Sequence, residues 1–411
     1  MATMKPFQSI RPRADLAPEI AALPYDVYNR EEARAVVESN PMSFLKIDRA
    51  ETLFPETVDM YSQPVYDKAR DTLNQMIECG AFVQDRHKCY YVYELTMDGH
   101  SQTGLVGCAS IDDYLNHVIM KHENTREDKE TDRIRHVDTC SAQTGPIFLA
   151  YRSNAAVKEH IAAAKKQPPL YDFISEDGIS HKVWCIYQPI DVAEMEKSWE
   201  QIPAIYIADG HHRAASAVKV GLKRRAKHPD YDGTEEFNYF LSVSFPDDEL
   251  RILDYNRVVK DLNGHTFTEL LDLLRDSFDI TLIGKEAYSP KKKGTFGLYG
   301  NGNWYCMEVK DASKSEDPVN GLDVSVLQNI VLQPLLGIEK ATDSRIRFVG
   351  GIRGLDFLSQ CIDEMGDGAA FAMFPTSMNE LLNVADAKLL MPAKSTWFEP
   401  KLRSGLFIHQ I

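Results

Sequence analysis

The chain has 411 residues, enough for two domains, and its 44% hydrophobic and 26% charged content is ordinary for a globular protein. Its 61 acidic residues outnumber 46 basic ones, for a net charge of −15. That balance argues against a general binder of nucleic acid or of anionic membrane, because phosphate backbones are gripped by lysine and arginine. The seven scattered cysteines form no CxxC pair. They argue against a disulfide framework or a zinc knuckle and point to reduced thiols in a cytoplasm. No apolar run approaches the length of a membrane span, and the first residues carry no apolar signal core.

In chain order, the proline-spaced opening passes through Leu23-Pro24-Tyr25-Asp26-Val27 into a helix at about 31–39, with Asn29 as its N-cap and Glu31 and Glu32 in the first turn. An amphipathic helix is expected at 64–79, stopped by Gly80. Two β-rich runs, 89–96 and 103–111, flank Asp98-Gly99 and read as a hairpin. Further on come a strand at 146–151, a helix at 154–166, and strands near 170–175 and 181–187. A strong strand is expected at 238–245. Beyond it, a helix at 267–277, a strand near 280–283 and a hairpin at 295–309 turned by Asn301-Gly302 suggest a second region, with Asp323 capping a later helix. Helices alternating with hairpins predict an α+β fold with mixed sheets, divided as 1–255 and 256–411, the C-terminal tail docking back.

Two stretches carry chemistry. In Ala204–Ala208 an apolar, β-compatible run ends in Asp209-Gly210, and His211-His212-Arg213 then opens a helix rich in small residues. The first N–H groups of a helix have no internal partner and its dipole favours negative charge, so this turn is a natural anion site. Gly210, His212 and Arg213 are candidate phosphate or nucleotide ligands, and Asp209 a candidate Mg²⁺ ligand. The structural alternative is a plain N-cap at Asp209, worth about 1 kcal/mol, followed by solvated side chains.

The second stretch, 121–136, is dense in ionisable groups, and several of its i,i+4 pairs are like-charged, Lys129–Arg133 among them. Helix stabilisation alone explains it poorly; binding a charged ligand or bridging to another segment competes. His122-Glu123 falls at an expected strand-to-loop junction, where Glu123 is a candidate general base. In the tail, Lys394, Trp397, Phe398 and Lys401 are placed to close over a substrate or to anchor the terminus on the core. The tail fails the Walker spacing, with Lys388 and Ala393 where glycines are required, and the glycines at 350, 351 and 354 fail the dinucleotide spacing.

Six pieces, Leu23-Pro24-Tyr25-Asp26-Val27, Lys121-His122-Glu123-Asn124-Thr125, Asp209-Gly210-His211-His212-Arg213, Asn256-Arg257-Val258, Arg347-Phe348-Val349-Gly350-Gly351 and Pro392 to Lys401, resemble those of the prokaryotic domain of unknown function 1015 family nearly end to end. The Asp-Gly-His-His-Arg block alone also resembles the ParB/sulfiredoxin superfamily, which includes nucleotide-dependent partition proteins, sulfiredoxins and free-serine kinases. His211 stands where sulfiredoxin has its reactive cysteine, and the acidic balance argues against a DNA-binding partition protein. The resemblance then implies phosphoryl transfer from ATP or ADP, with Mg²⁺, to a small hydroxylated metabolite, free serine first.

On that reading Glu123, Asp209, His211 and His212 are catalytic, Gly210, His212 and Arg213 bind phosphate, Lys394 and Trp397 bind substrate, and Asp209 holds the metal. A homodimer is compatible with it. The alternative is a nucleotide- or metabolite-binding protein without catalysis. A zinc hydrolase using His122, Glu123, His211 and His212 is a third reading, weakened because adjacent histidines at a helix start diverge by roughly 100°.

Overall fold

The structure is a computed structural model that describes residues 1–125 and 127–411; Arg126 of the charged run and the side chain of Asp128 lie outside the described residues. The protein is α+β, with mixed sheets, and divides into two compact units. The first comprises residues 1–121, 125–250 and 400–411, and the second residues 122–124 and 251–399.

The first unit is built on a nine-stranded sheet. From one edge it runs Ile119–Met120, Ile205–Asp209, Ile147–Tyr151, Tyr239–Pro246, His100–Ser110, Tyr90–Met97, Ser180–Ile186 and Tyr171–Ile174, and Met4–Lys5 pairs alongside His100–Ser110. Two pairings are parallel, Ile205–Asp209 with Ile119–Met120 and Tyr239–Pro246 with Ile147–Tyr151; the others are antiparallel. The hairpin expected around Asp98-Gly99 is present, and both turn residues adopt the positive φ that such a two-residue connection requires. Asn29 caps the helix Arg30–Ser39 in a reciprocal box with Glu32. The helix His211–Lys227 places Ala214, Ala217 and Val218 in a core with Val92, Leu149, Ile207, Trp199 and Phe240. Its small residues are a packing requirement: a Cβ at Gly221 would stand 2.5 Å from the Phe237 carbonyl oxygen.

The charged run resolves into a helix, Glu127–Cys140, that bridges to the helix His211–Lys227. Glu130 pairs with Lys219, and Asp138 with Lys223 and Arg224. Its arginines lie over tyrosine rings, Arg133 on Tyr25 at 4.0 Å and Arg135 on Tyr66 at 4.5 Å. The like-charged spacing therefore serves a second segment rather than the helix itself. The C-terminal residues also belong to this unit: Ile408 bridges to Ile10, Ser404 to Ala22, and His409–Gln410 pairs with Ala142–Gln143.

The second unit holds an antiparallel six-stranded sheet in the order Phe278–Gly284, Asn303–Val309, Thr295–Gly300, Ala369–Ala372, Tyr255–Val259 and Ile346–Gly350. Val258, Trp304, Val349, Leu358, Ile362 and Ala370 make its core. The Asn301-Gly302 hairpin forms as expected. Asp323 does not cap a helix. The N-cap is Leu322, and the buried Asp323 carboxylate accepts the Gly294 amide at 3.0 Å on both oxygens. Burial pushes this carboxyl up to about 6. No helix among the described residues is long and apolar enough to cross a membrane.

Candidate functional site

The strand Ile205–Asp209 is apolar up to its last residue, so burial in the sheet fixes its register and delivers Asp209 at its C-terminal end. The pairing with Ile147–Tyr151 slips between Ile207 and Asp209, an irregularity of the kind that re-aims a side chain. Gly210 follows at φ 92°, ψ 32°, a left-handed conformation open to glycine at little cost. The helix starts at once with His211, and the Ala214 amide donates to the Gly210 carbonyl at 2.9 Å.

Three charged groups meet at this turn. Lys401 Nζ stands 3.4 Å from Asp209 Oδ2, and Arg213 Nη2 stands 3.9 Å from the same oxygen. Arg213 is folded inward, only 12% exposed in its side chain; it donates from Nη1 to the Pro146 carbonyl at 2.6 Å and passes over Gly210, where a Cβ would lie 3.0 Å from Nε. The Gly210 amide donates to Asp209 Oδ1 at 2.8 Å. Burial by itself would raise the Asp209 carboxyl, but Lys401, Arg213 and His211 outweigh it and hold the group well below the usual carboxylate range. The turn thus presents a carboxylate favoured in its ionised form beside two cations at the positive end of a seventeen-residue helix.

His211 is buried and His212 half-buried. The His212 carbonyl accepts the Ser216 hydroxyl at 2.7 Å, and that hydroxyl also reaches the Glu130 carbonyl at 3.2 Å. Burial would raise the Glu130 carboxyl, but Lys219, Thr125 and His212 lower it overall.

Asp209, Gly210, His211, His212 and Arg213 are therefore gathered at one turn of the first unit. Glu123, Lys394 and Trp397 belong to the second. There the His122 carbonyl accepts the Met391 amide at 2.8 Å, and its Nε2 stands 3.4 Å from the Thr396 hydroxyl. Trp397 pairs in a short ladder with Leu253, and its indole N–H donates to Glu399 at 2.9 Å. Lys394 is exposed at φ 63°, and its carbonyl accepts from Arg257 Nη2 at 3.1 Å.

Arg257, which the sequence offers only within one of the family-like pieces, is 3% exposed, and among the described residues its guanidinium donates to backbone carbonyls, those of Tyr255 and Lys394. Burial draws its guanidinium down to about 10. Lys401, which the sequence places among the tail residues that close over a substrate or anchor the terminus, finds its partner in an aspartate 192 residues earlier, a pairing to which nothing local points.

Residues 4–325 match the family described as "Protein of unknown function (DUF1015)", and the chain belongs to that family. No curated protein matches. Among solved structures the chain is similar to a conserved hypothetical protein from Pyrococcus furiosus (13% identity, 72% of this chain and 92% of that one, TM-score 0.35). It is also similar to SbnI with C-terminal truncation from Staphylococcus aureus (11% identity, 74% and 87%, TM-score 0.40). A third similar structure is a free serine kinase in complex with AMP (12% identity, 72% and 90%, TM-score 0.34). Likenesses this distant carry no functional argument.

Proposed function

We propose that the chain is a nucleotide-dependent phosphotransferase acting on a small hydroxylated metabolite. The observation that supports this reading is the Asp209–Arg213 turn: a carboxylate kept ionised by Lys401 and Arg213, at the N-terminus of a long helix opened by glycine. Phosphoryl transfer asks a protein chiefly for positioning and charge neutralisation, and this turn offers both. Arg213 Nη2 and the first helical amides would face phosphate oxygens, with His212 beside them. The Gly210 amide, spent on Asp209, would instead hold that carboxylate in place.

A single hard, ionised oxygen donor is what Mg²⁺ takes from a protein when phosphates supply the rest of its shell, so Asp209 fits the ion once Lys401 swings aside. When bound, Mg²⁺ would neutralise charge on the transferring phosphoryl group. His211, in the same turn, would take the acceptor's hydroxyl proton. Glu123, Lys394 and Trp397 lie in the second unit, and the reading does not require them. Free serine is the first acceptor to try, because it is what the resemblance of the Asp-Gly-His-His-Arg block implies.

One observation favours a second reading, binding without catalysis: both Asp209 oxygens already have partners, Gly210 N and Lys401 Nζ. Incubation of the purified protein with labelled ATP or ADP, Mg²⁺ and a pool of hydroxylated metabolites including serine separates the two. A phosphorylated acceptor is the expected result. Stoichiometric nucleotide binding without product would overturn catalysis in favour of the second reading, and neither binding nor product would overturn both.

A further inference from the structure

All seven cysteines are free thiols, and two of them meet across the nine-stranded sheet of the first unit. In the ladder between Tyr90–Met97 and Ser180–Ile186, Cys185 stands opposite Tyr91 and Ile186 opposite Tyr90. Cys89 lies one residue before Tyr90, and its backbone exchanges hydrogen bonds with Phe7 at 2.9 and 3.1 Å, which keeps the strand extended there. Successive side chains of a strand point to opposite faces. Tyr90, Val92, Trp184 and Ile186 all enter one core cluster, so Cys89, Tyr91 and Cys185 share the other face. Cys89 and Cys185 are therefore diagonal neighbours on that face. Their side chains close the diagonal, because the two thiols hydrogen-bond to each other.

That contact sets the chemistry of the pair. The Cys185 S–H, donating to the Cys89 sulfur, draws the Cys89 thiol below its ordinary value against the pull of burial. The same contact, with burial, raises the Cys185 thiol. The ion pair of Asp85 and Arg11 lies beside both sulfurs, and its two charges act in opposite senses. The thiols thus titrate as a unit: once one proton is lost, the other is shared between the sulfurs. Elsewhere burial pushes Cys108 well above the usual thiol range and Cys140 up to about 12, so both stay protonated.

Cys89 is 3% exposed, whereas Cys185 is half-buried. The neighbouring strand Tyr171–Ile174 pairs with residues 180–183 and stops short of Cys185. Cys185 is thus the sulfur that a small molecule can reach.

We infer that Cys89 and Cys185 form a modification site, a dithiol that a hydroperoxide converts reversibly into an intrachain disulfide. With the shared proton on Cys89, the Cys185 thiolate attacks a peroxide oxygen. An S–O bond forms, the O–O bond breaks, and the leaving oxyanion takes a proton from solvent. Cys185 is then a sulfenic acid, its sulfur oxidised by two electrons. The Cys89 sulfur attacks it in turn: the S–S bond forms, the S–O bond breaks, and the departing hydroxide takes the Cys89 proton. Two thiols and hydrogen peroxide give one disulfide and two waters. A dithiol reductant reverses the change by exchange. This chemistry is independent of the phosphotransferase reading.

The test is mass spectrometry of the full chain, fully reduced and then treated with equimolar hydrogen peroxide. Its mass should fall by about 2 Da, the two thiol hydrogens, and non-reducing peptide mapping should join the peptide of Cys89 to that of Cys185. Dithiothreitol should restore the starting mass. In Cys89→Ser the sulfenic acid has no partner thiol, so dimedone should label Cys185 there and leave it unlabelled in the wild type.

An unchanged mass, a gain of oxygen in place of the loss, or a disulfide joining any other cysteines would overturn the inference. Dimedone labelling of Cys185 in the wild type at the level of the variant would overturn it too, and an unlabelled Cys185 in the folded variant would overturn Cys185 as the sulfur attacked. The wild-type mapping stands even if Cys89→Ser fails to fold.

Discussion

Lys401 Nζ lies 3.4 Å from Asp209 Oδ2, so a residue of the C-terminal segment closes the charge arrangement at the start of the helix His211–Lys227. The carboxylate is held ionised by Lys401, far from it in sequence, together with its neighbours Arg213 and His211, and that arrangement has a measurable pH signature. A carboxyl whose folded pKa is depressed contributes stability that is complete above its unfolded value, near 3.8, and is lost as pH falls through the folded value.

Removing Lys401 raises the folded value and narrows that window. Acid unfolding of Lys401→Met, followed by near-ultraviolet circular dichroism, is therefore expected to begin at a higher pH than that of the wild type. Identical acid limbs would mean that the ammonium does not stabilise the carboxylate.

Gly210→Ala tests the turn itself. At φ 92° a side chain costs about 1–2 kcal/mol, and the new methyl would press on Arg213 Nε at 3.0 Å. Denaturant melts should show a loss of that size, with nucleotide affinity falling further because Arg213 is displaced. A variant as stable as the wild type would contradict the backbone geometry.

Asp323, in the second unit, gives a pH effect of opposite sign. Its carboxyl is raised from 3.8 to about 6 by burial, so between those values the folded state holds a proton that the unfolded state releases. Stability therefore falls as pH rises from about 4 to about 6, by on the order of 2–3 kcal/mol. Asp323→Asn, which keeps an oxygen for the Gly294 amide, should match the wild type below that window and exceed it above. Denaturant melts at pH values on either side are the check, and parallel pH profiles would refute it.

What could be read from the residues follows local chemistry. Asp98-Gly99, Asn301-Gly302 and the Asn29–Glu32 box announce themselves because turn and cap preferences act over a few residues. The strand–glycine–helix at 205–227 was legible for the same reason. The strand Tyr255–Val259 was not, since buried Asn256 and Arg257 interrupt its apolar pattern. Asp323 looked like a cap because Asp before an apolar run usually is one, while its partner Gly294 lies 29 residues away. Cys89 and Cys185 meet only through the pairing of their strands, and in the sequence they were two thiols among seven.

The central claim is that the Asp209–Arg213 turn receives nucleotide phosphate. Its most direct test is titration of the wild type and of Arg213→Ala with ADP in the presence of Mg²⁺. A charge-assisted hydrogen bond contributes about 1.5–3 kcal/mol, so the variant should bind roughly tenfold to a hundredfold more weakly. Equal affinity in the two proteins, or no ADP binding by the wild type, would contradict the account.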